Sequence, residues 1–125
     1  MDDSALVAQA ARARVNAYAP YSGIKVGACV ETDSGEVFCA ANVENASYGL
    51  TICAERAAIF EAVGRGHTAI EKVAVVAEGM DDPMPCGACR QVMQEFGVKR
   101  VLVGRPDGSY RTYDFTSLLP KPFSI

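Results

Sequence analysis

Val73-Ala74-Val75-Val76 is the stretch that decides the architecture. Consecutive apolar residues, most of them β-branched, leave no polar side to turn toward water. The run therefore reads as a strand covered on both faces. Asp81-Asp82-Pro83 breaks the pattern after it. On the upstream side, Thr51 to Val63 reads as a helix stopped by Gly64 or Gly66. On the downstream side, Cys86 to Phe96 reads as a second helix closed by Gly97, and Arg100 to Val103 as a short strand. Strands alternating with helices imply a central sheet with helices on its faces.

The remaining segments extend that plan. Ser4 to Ala17 is an amphipathic helix with Leu6, Ala10, Ala13 and Ala17 at helical spacing. Asp3 or Ser4 can cap its start, and Ala19-Pro20 ends it, because proline disfavours a helical residue before it. Tyr21 to Lys25 is a loop. Val26 to Glu31 and Val37 to Val43 form a hairpin around Asp33-Ser34-Gly35. Asn42 to Tyr48 is a polar, turn-rich, exposed loop. Tyr110 to Phe115 is a strand after the Pro106-Asp107-Gly108 turn, and Thr116 to Leu119 a helical turn before Pro120. The hairpin makes the sheet mixed rather than all parallel. No repeat, linker or low-complexity tract divides the chain, so residues 1–125 read as one domain.

The 125 residues are 50% hydrophobic and 22% charged, with a formal net charge of -3. A chain of this size buries roughly two-thirds of its unfolded surface, enough for a core without staples. The acidic balance, with no basic run longer than Lys99-Arg100, argues against nucleic acid as a partner. No stretch has the length of a membrane span. Met1-Asp2-Asp3 is acidic and lacks the features of a signal peptide, so a cytoplasmic protein is expected. In that compartment the five cysteines read as thiols or metal ligands rather than as disulfides.

The strongest chemical signal is Pro85-Cys86-Gly87-Ala88-Cys89. Two thiols at this spacing beside a helix start can face one metal ion, although a redox dithiol or half of a structural zinc site has the same spacing. Cys53-Ala54-Glu55, at the start of another helix, offers a third thiol. Three thiolates leave one zinc coordination position open, which is the pattern of catalytic rather than structural sites. Helix N-termini favour thiolate over thiol. Zinc with three thiolates is anionic and a weakened Lewis acid. Arg56 can offset that charge, or it can be an ordinary surface arginine. Glu55, two residues after a ligand, can reach a metal-activated water as acid and base; on its own it would be a first-turn glutamate favoured by the helix dipole. Cys29 and Cys39 lie in strand patterns and read as small buried apolar residues. His67, the one histidine, reads as an exposed loop residue.

Taken together, Cys53-Ala54-Glu55-Arg56 and Pro85-Cys86-Gly87-Ala88-Cys89-Arg90-Gln91 resemble the small homotetrameric zinc-dependent cytidine deaminases. The resemblance extends to Tyr18-Ala19-Pro20-Tyr21-Ser22, Val26-Gly27-Ala28, Asn42-Val43-Glu44-Asn45 and Leu118-Leu119-Pro120. It implies a three-layer α/β cytidine-deaminase-like fold, with a central mixed five-stranded sheet and helices on both faces. It implies one zinc per chain on Cys53, Cys86 and Cys89, a zinc-activated water attacking C4 of the base, and Glu55 as proton shuttle. Asn42 and Glu44 would hold the ribose hydroxyls. The Ala54 backbone N–H would receive the base carbonyl oxygen, and Glu55 would bridge N3. Tyr48 and Phe123 resemble residues lent to a neighbouring subunit's site. Where the family commonly has phenylalanine packed on the nucleoside, this chain has Ile24. The expected reaction is therefore deamination of free cytidine and deoxycytidine. The competing expectations are a deaminase of modified cytidines or nucleoside antibiotics, and a noncatalytic zinc-stapled scaffold.

Overall fold

The structure is a computed structural model describing residues 1–125. The apolar run at its centre belongs to a strand longer than its apolar core, β3 (Ile70–Glu78). Around it stand β1 (Lys25–Thr32), β2 (Val37–Ala41), β4 (Arg100–Gly104) and β5 (Tyr110–Asp114), in the order β2-β1-β3-β4-β5. β3 and β4 are parallel and the other neighbouring pairs antiparallel, so the five-stranded sheet is mixed. The helices are α1 (Asp3–Ala13), α2 (Ala54–Gly64), α3 (Gly87–Glu95) and the single turn α4 (Phe115–Leu118).

Alternation along β3 explains the three layers. Val73 and Val75 point to one face and pack with Ala58, Ile59 and Ala62 of α2, Met93 of α3, and Phe115 and Leu118 of α4. Ala74 and Val76 point to the other face and pack with Leu6, Val7 and Ala10 of α1. On that second face α1 approaches the sheet backbone to backbone. A Cβ on Gly27 would lie 2.0 Å from the Ala10 carbonyl oxygen, so only glycine fits there.

Several boundaries differ from the sequence expectation, each for a local reason. Asp2 caps α1, its carboxylate accepting from the Ala5 N–H at 2.7 Å. Asp3 instead reaches across to Lys72 and Arg100, at 2.8 and 2.7 Å. The first helix gives way at Arg14 to a 3₁₀ turn, and Ala17 is already extended. Tyr18 then bridges to Val43. α2 begins at Ala54 rather than Thr51, because Ile52 exchanges backbone hydrogen bonds with Val43. Asn42 is not an exposed loop residue; it is buried against β1.

Two readings of side chains need correction. Cys29 and Cys39 are not free thiols; they form a disulfide between β1 and β2. The hairpin register sets them directly opposite each other, with side chains on the same face. A turn centred on Ser34 already implies that pairing. His67 is not simply exposed: Nε2 lies 3.0 Å from Glu36, and the ring packs on Phe38.

Candidate active site

Two helix N-termini meet beside Val26 at the start of β1 and Val75 of β3, and each begins with a cysteine in the N-cap position. Cys53 caps α2 and Cys86 caps α3. The Cys86 sulfur accepts from the Cys89 N–H at 3.4 Å, so the CxxC segment is wound into the first turn with its sulfurs together. Cys53 Sγ and Cys86 Sγ are 3.7 Å apart, and all three sulfurs lie within 4.8 Å of one another. Two sulfurs bound ~2.3 Å from a tetrahedral zinc stand ~3.8 Å apart. The three thiols therefore fit one zinc ion. Cys53 is half-buried, Cys86 exposed and Cys89 buried, so the cluster opens to one side.

The electrostatics favour a thiolate at Cys53. A hydrogen bond from Cys89, followed by those from Arg56 and Cys86, pulls the Cys53 thiol down to about 5. Cys89 moves in the opposite direction, driven first by its partnership with Cys53 and then by burial. Arg56 sends Nη2 to within 3.5 Å of Cys53 Sγ, and its Nε is buried with no hydrogen-bond partner. It thus turns its charge toward the sulfurs rather than toward solvent.

Glu55 is only 4% exposed, in the first turn of α2. Burial pushes its carboxyl up to about 7, and the Cys53 charge adds to the effect. A carboxyl poised near neutral pH can both accept and return a proton. It lines a cavity of about 160 Å³ together with Cys53, Cys86, Ala54, Asn42 and Thr51. Val26, Val75, Met80, Pro83 and Met84 supply the apolar wall. Ala54 is fully buried and opens α2, so its N–H has no partner inside the helix.

A second cavity, of about 370 Å³, is lined by Tyr21, Ser22, Glu44, Tyr48 and Thr51. Thr51 borders both cavities, which makes them neighbours. Asn42 and Glu44 thus approach the metal cluster from one side, Asn42 in the inner cavity and Glu44 in the outer. Tyr48 is 75% exposed and stacks edge-on against Tyr21 at 5.9 Å. Phe123 is equally free of its own chain at 72%, although its carbonyl accepts from Gln91 of α3 at 3.0 Å. Ile24 is half-buried and lines neither cavity. Sequence reasoning missed Met80, Pro83 and Met84. They enter the wall because the segment between β3 and α3 folds over the cluster, and only the adjacency of Met84 to Pro85-Cys86 hinted at it.

Buried carboxyl, three-sulfur cluster and open cavity define the class: a zinc-dependent hydrolytic enzyme built on an α/β sheet. Comparison with known proteins narrows it. The family described as "Cytidine and deoxycytidylate deaminase zinc-binding region" matches residues 1–105. The chain is 44% identical to the cytidine deaminase of Halalkalibacterium halodurans over 99% of its own length and 96% of the relative's. It is 39% identical to that of Mycobacterium tuberculosis over 100% and 92%. Among solved structures, the cytidine deaminase of Burkholderia pseudomallei superposes with a TM-score of 0.92 at 46% identity, covering 98% of this chain and 100% of that one. The chain belongs to the cytidine and deoxycytidylate deaminase family, and its fold is that of the solved cytidine deaminases.

Proposed function

We propose that the chain, as one catalytic domain spanning residues 1–125, hydrolyses the C4 amine of free cytidine and deoxycytidine to give uridine or deoxyuridine and ammonia. The observation that carries this reading is Glu55: a buried carboxyl, raised to about 7, on the wall of the cavity that Cys53 and Cys86 of the three-sulfur cluster also line. A noncatalytic zinc staple has no use for such a group. Zinc held by Cys53, Cys86 and Cys89 supplies a Lewis acid and an acidified water.

The chain's own groups do the rest. The Ala54 N–H donates to the base carbonyl oxygen and so turns the N3 edge toward Glu55. Glu55 takes a proton from the water as its oxygen bonds to C4, and passes it to N3. It then carries the remaining hydroxyl proton to the departing amine, which leaves as ammonia. Arg56 offsets the negative charge of the thiolates. Asn42 and Glu44 hold the sugar, with Ile24 beside them. Tyr48 and Phe123, exposed on the isolated chain, serve the site of an adjacent subunit in a homotetramer. The setting proposed is the cytoplasm; no helix is long and apolar enough to cross a membrane.

Ammonia release from cytidine, deoxycytidine, adenosine and free cytosine tests the reading. Turnover of the first two, with adenosine and cytosine poor, is expected. Equal use of cytosine would remove the sugar from recognition, and no turnover of any cytidine by zinc-loaded protein would return the chain to the staple.

A further inference from the structure

The loop between Tyr21 and Lys25 is tied to the sugar-binding pair by a closed set of hydrogen bonds. Glu44 Oε1 accepts from the Tyr21 N–H at 2.9 Å and from the Ser22 N–H at 3.2 Å. Glu44 Oε2 accepts from the Ser22 hydroxyl at 2.5 Å. That hydroxyl, having given its only proton to Glu44, accepts from the Ile24 N–H at 3.0 Å. On the far side of the same residue, the Ile24 carbonyl accepts from Asn42 Nδ2 at 2.9 Å, while Asn42 Oδ1 accepts from the Val26 N–H at 2.9 Å. Gly23, at φ +73°, supplies the left-handed turn that brings Ser22 back over Glu44. The backbone of Ile24 is thus held between Asn42 on one side and Ser22–Glu44 on the other.

The Ser22 hydroxyl touches neither the metal cluster nor the inner cavity; it meets the site only through Glu44, at the wall of the outer cavity. We infer that Ser22 is a positioning residue for sugar recognition: its hydroxyl locks the Glu44 carboxylate in one rotamer and spends its proton there, so that Glu44 meets the substrate fixed and as an acceptor. The inference rests on the proposed sugar-binding role of Glu44. Glutamate is a flexible side chain, and at the exposed rim of a cavity it would otherwise sample several rotamers at an entropic cost paid on each binding event. Three donors fixed by a short loop remove that freedom before the nucleoside arrives. Chemistry at C4 belongs to the inner cavity, which Glu55 lines and Glu44 does not, so the effect belongs in binding.

Four zinc-loaded variants decide the matter: Ser22→Ala, Ser22→Thr, Glu44→Gln and the double variant Ser22→Ala/Glu44→Gln, each assayed for kcat and KM on cytidine and for thermal unfolding. Ser22→Ala is expected to raise KM about five- to tenfold, the usual scale for one charge-assisted hydrogen bond, with kcat within about twofold. Ser22→Thr keeps the hydroxyl and should restore KM. The double variant should be no worse than Glu44→Gln alone, because Ser22 acts through Glu44. If Glu44→Gln leaves KM unchanged, the sugar-binding role of Glu44 fails, and the inference with it. If Glu44→Gln raises KM but Ser22→Ala does not, or if the two effects simply multiply, only the positioning role is overturned. A loss that follows unfolding temperature rather than KM is also a contradiction, since it would assign Ser22 to loop stability alone.

Discussion

Ile24 illustrates how much one residue can be held without touching anything reactive. Its N–H and carbonyl are both engaged by groups that also serve Glu44 and Asn42, whereas its side chain lies outside both cavities of the isolated chain. Its identity was the one departure from the family pattern visible in the sequence. What the pattern could not convey was that the backbone at this position is clamped, so that a change of side chain need not move Asn42 or Glu44. Replacing Ile24 with phenylalanine offers a flat face to a nucleoside without altering zinc ligands or Glu55. The expected result is a KM for cytidine lowered several-fold, on the scale of about 1 kcal/mol, with kcat unchanged. Steady-state kinetics check it, and an unchanged KM would take the Ile24 side chain out of substrate contact.

At the scale of elements, the order of helices and strands was legible because each carried its own period. Val73–Val76 announced a two-faced strand, and both faces are covered, by α1 on one side and α2 to α4 on the other. The clustering of Cys53, Cys86 and Cys89, with Glu55 beside them, was legible because the spacing within two short motifs is set by helix geometry. Legibility failed where long-range pairing decides. Nothing local in Asp3 says that it will skip its capping role and cross to β3 and β4. There it binds Lys72, which is only 5% exposed, and Arg100. These two, Arg100 first, hold the Asp3 carboxyl down at about 2 against an ordinary 3.8. A carboxyl with a depressed folded pKa stabilises the fold above its unfolded value and loses that contribution as pH falls through the folded one. Asp3→Asn is accordingly expected to cost about 1–3 kcal/mol near neutral pH, more than a surface pair because buried Lys72 keeps only the more distant Glu31, at 4.0 Å, as counter-charge, and less than a fully desolvated pair because Asp3 is partly exposed. Denaturant unfolding from pH 7 to 2 should show the difference from wild type full above about pH 4 and closing toward pH 2. A pH-independent difference would mean that the loss is one of packing and not of charge.

At the scale of the whole molecule, one chain brings three sulfurs and a buried carboxyl together beside a cavity that adjoins an outer one at Glu44 and Tyr48. Tyr48, on the wall of the outer cavity, and Leu50 and Phe123 are large apolar side chains left in solvent. The proposed homotetramer would cover them. Mixing zinc-loaded Glu55→Gln subunits with Tyr48→Ala subunits tests it. Some sites in a mixed assembly would receive an intact Glu55 from one chain and an intact Tyr48 from another, so activity should rise above that of either parent. A mixture no better than its parts, or a fully active monomer in sedimentation, would contradict shared sites.

The central claim is that this fold assembles a zinc deaminase whose proton shuttle is Glu55. The measurement that tests it most directly is ammonia release from cytidine by Glu55→Gln protein shown by elemental analysis to carry one zinc per chain. Glutamine keeps the shape and removes the acid and base. The account predicts turnover lower by at least about 10²–10⁴-fold, with zinc content and unfolding temperature preserved. Near-normal turnover in a zinc-replete, folded Glu55→Gln protein would contradict it.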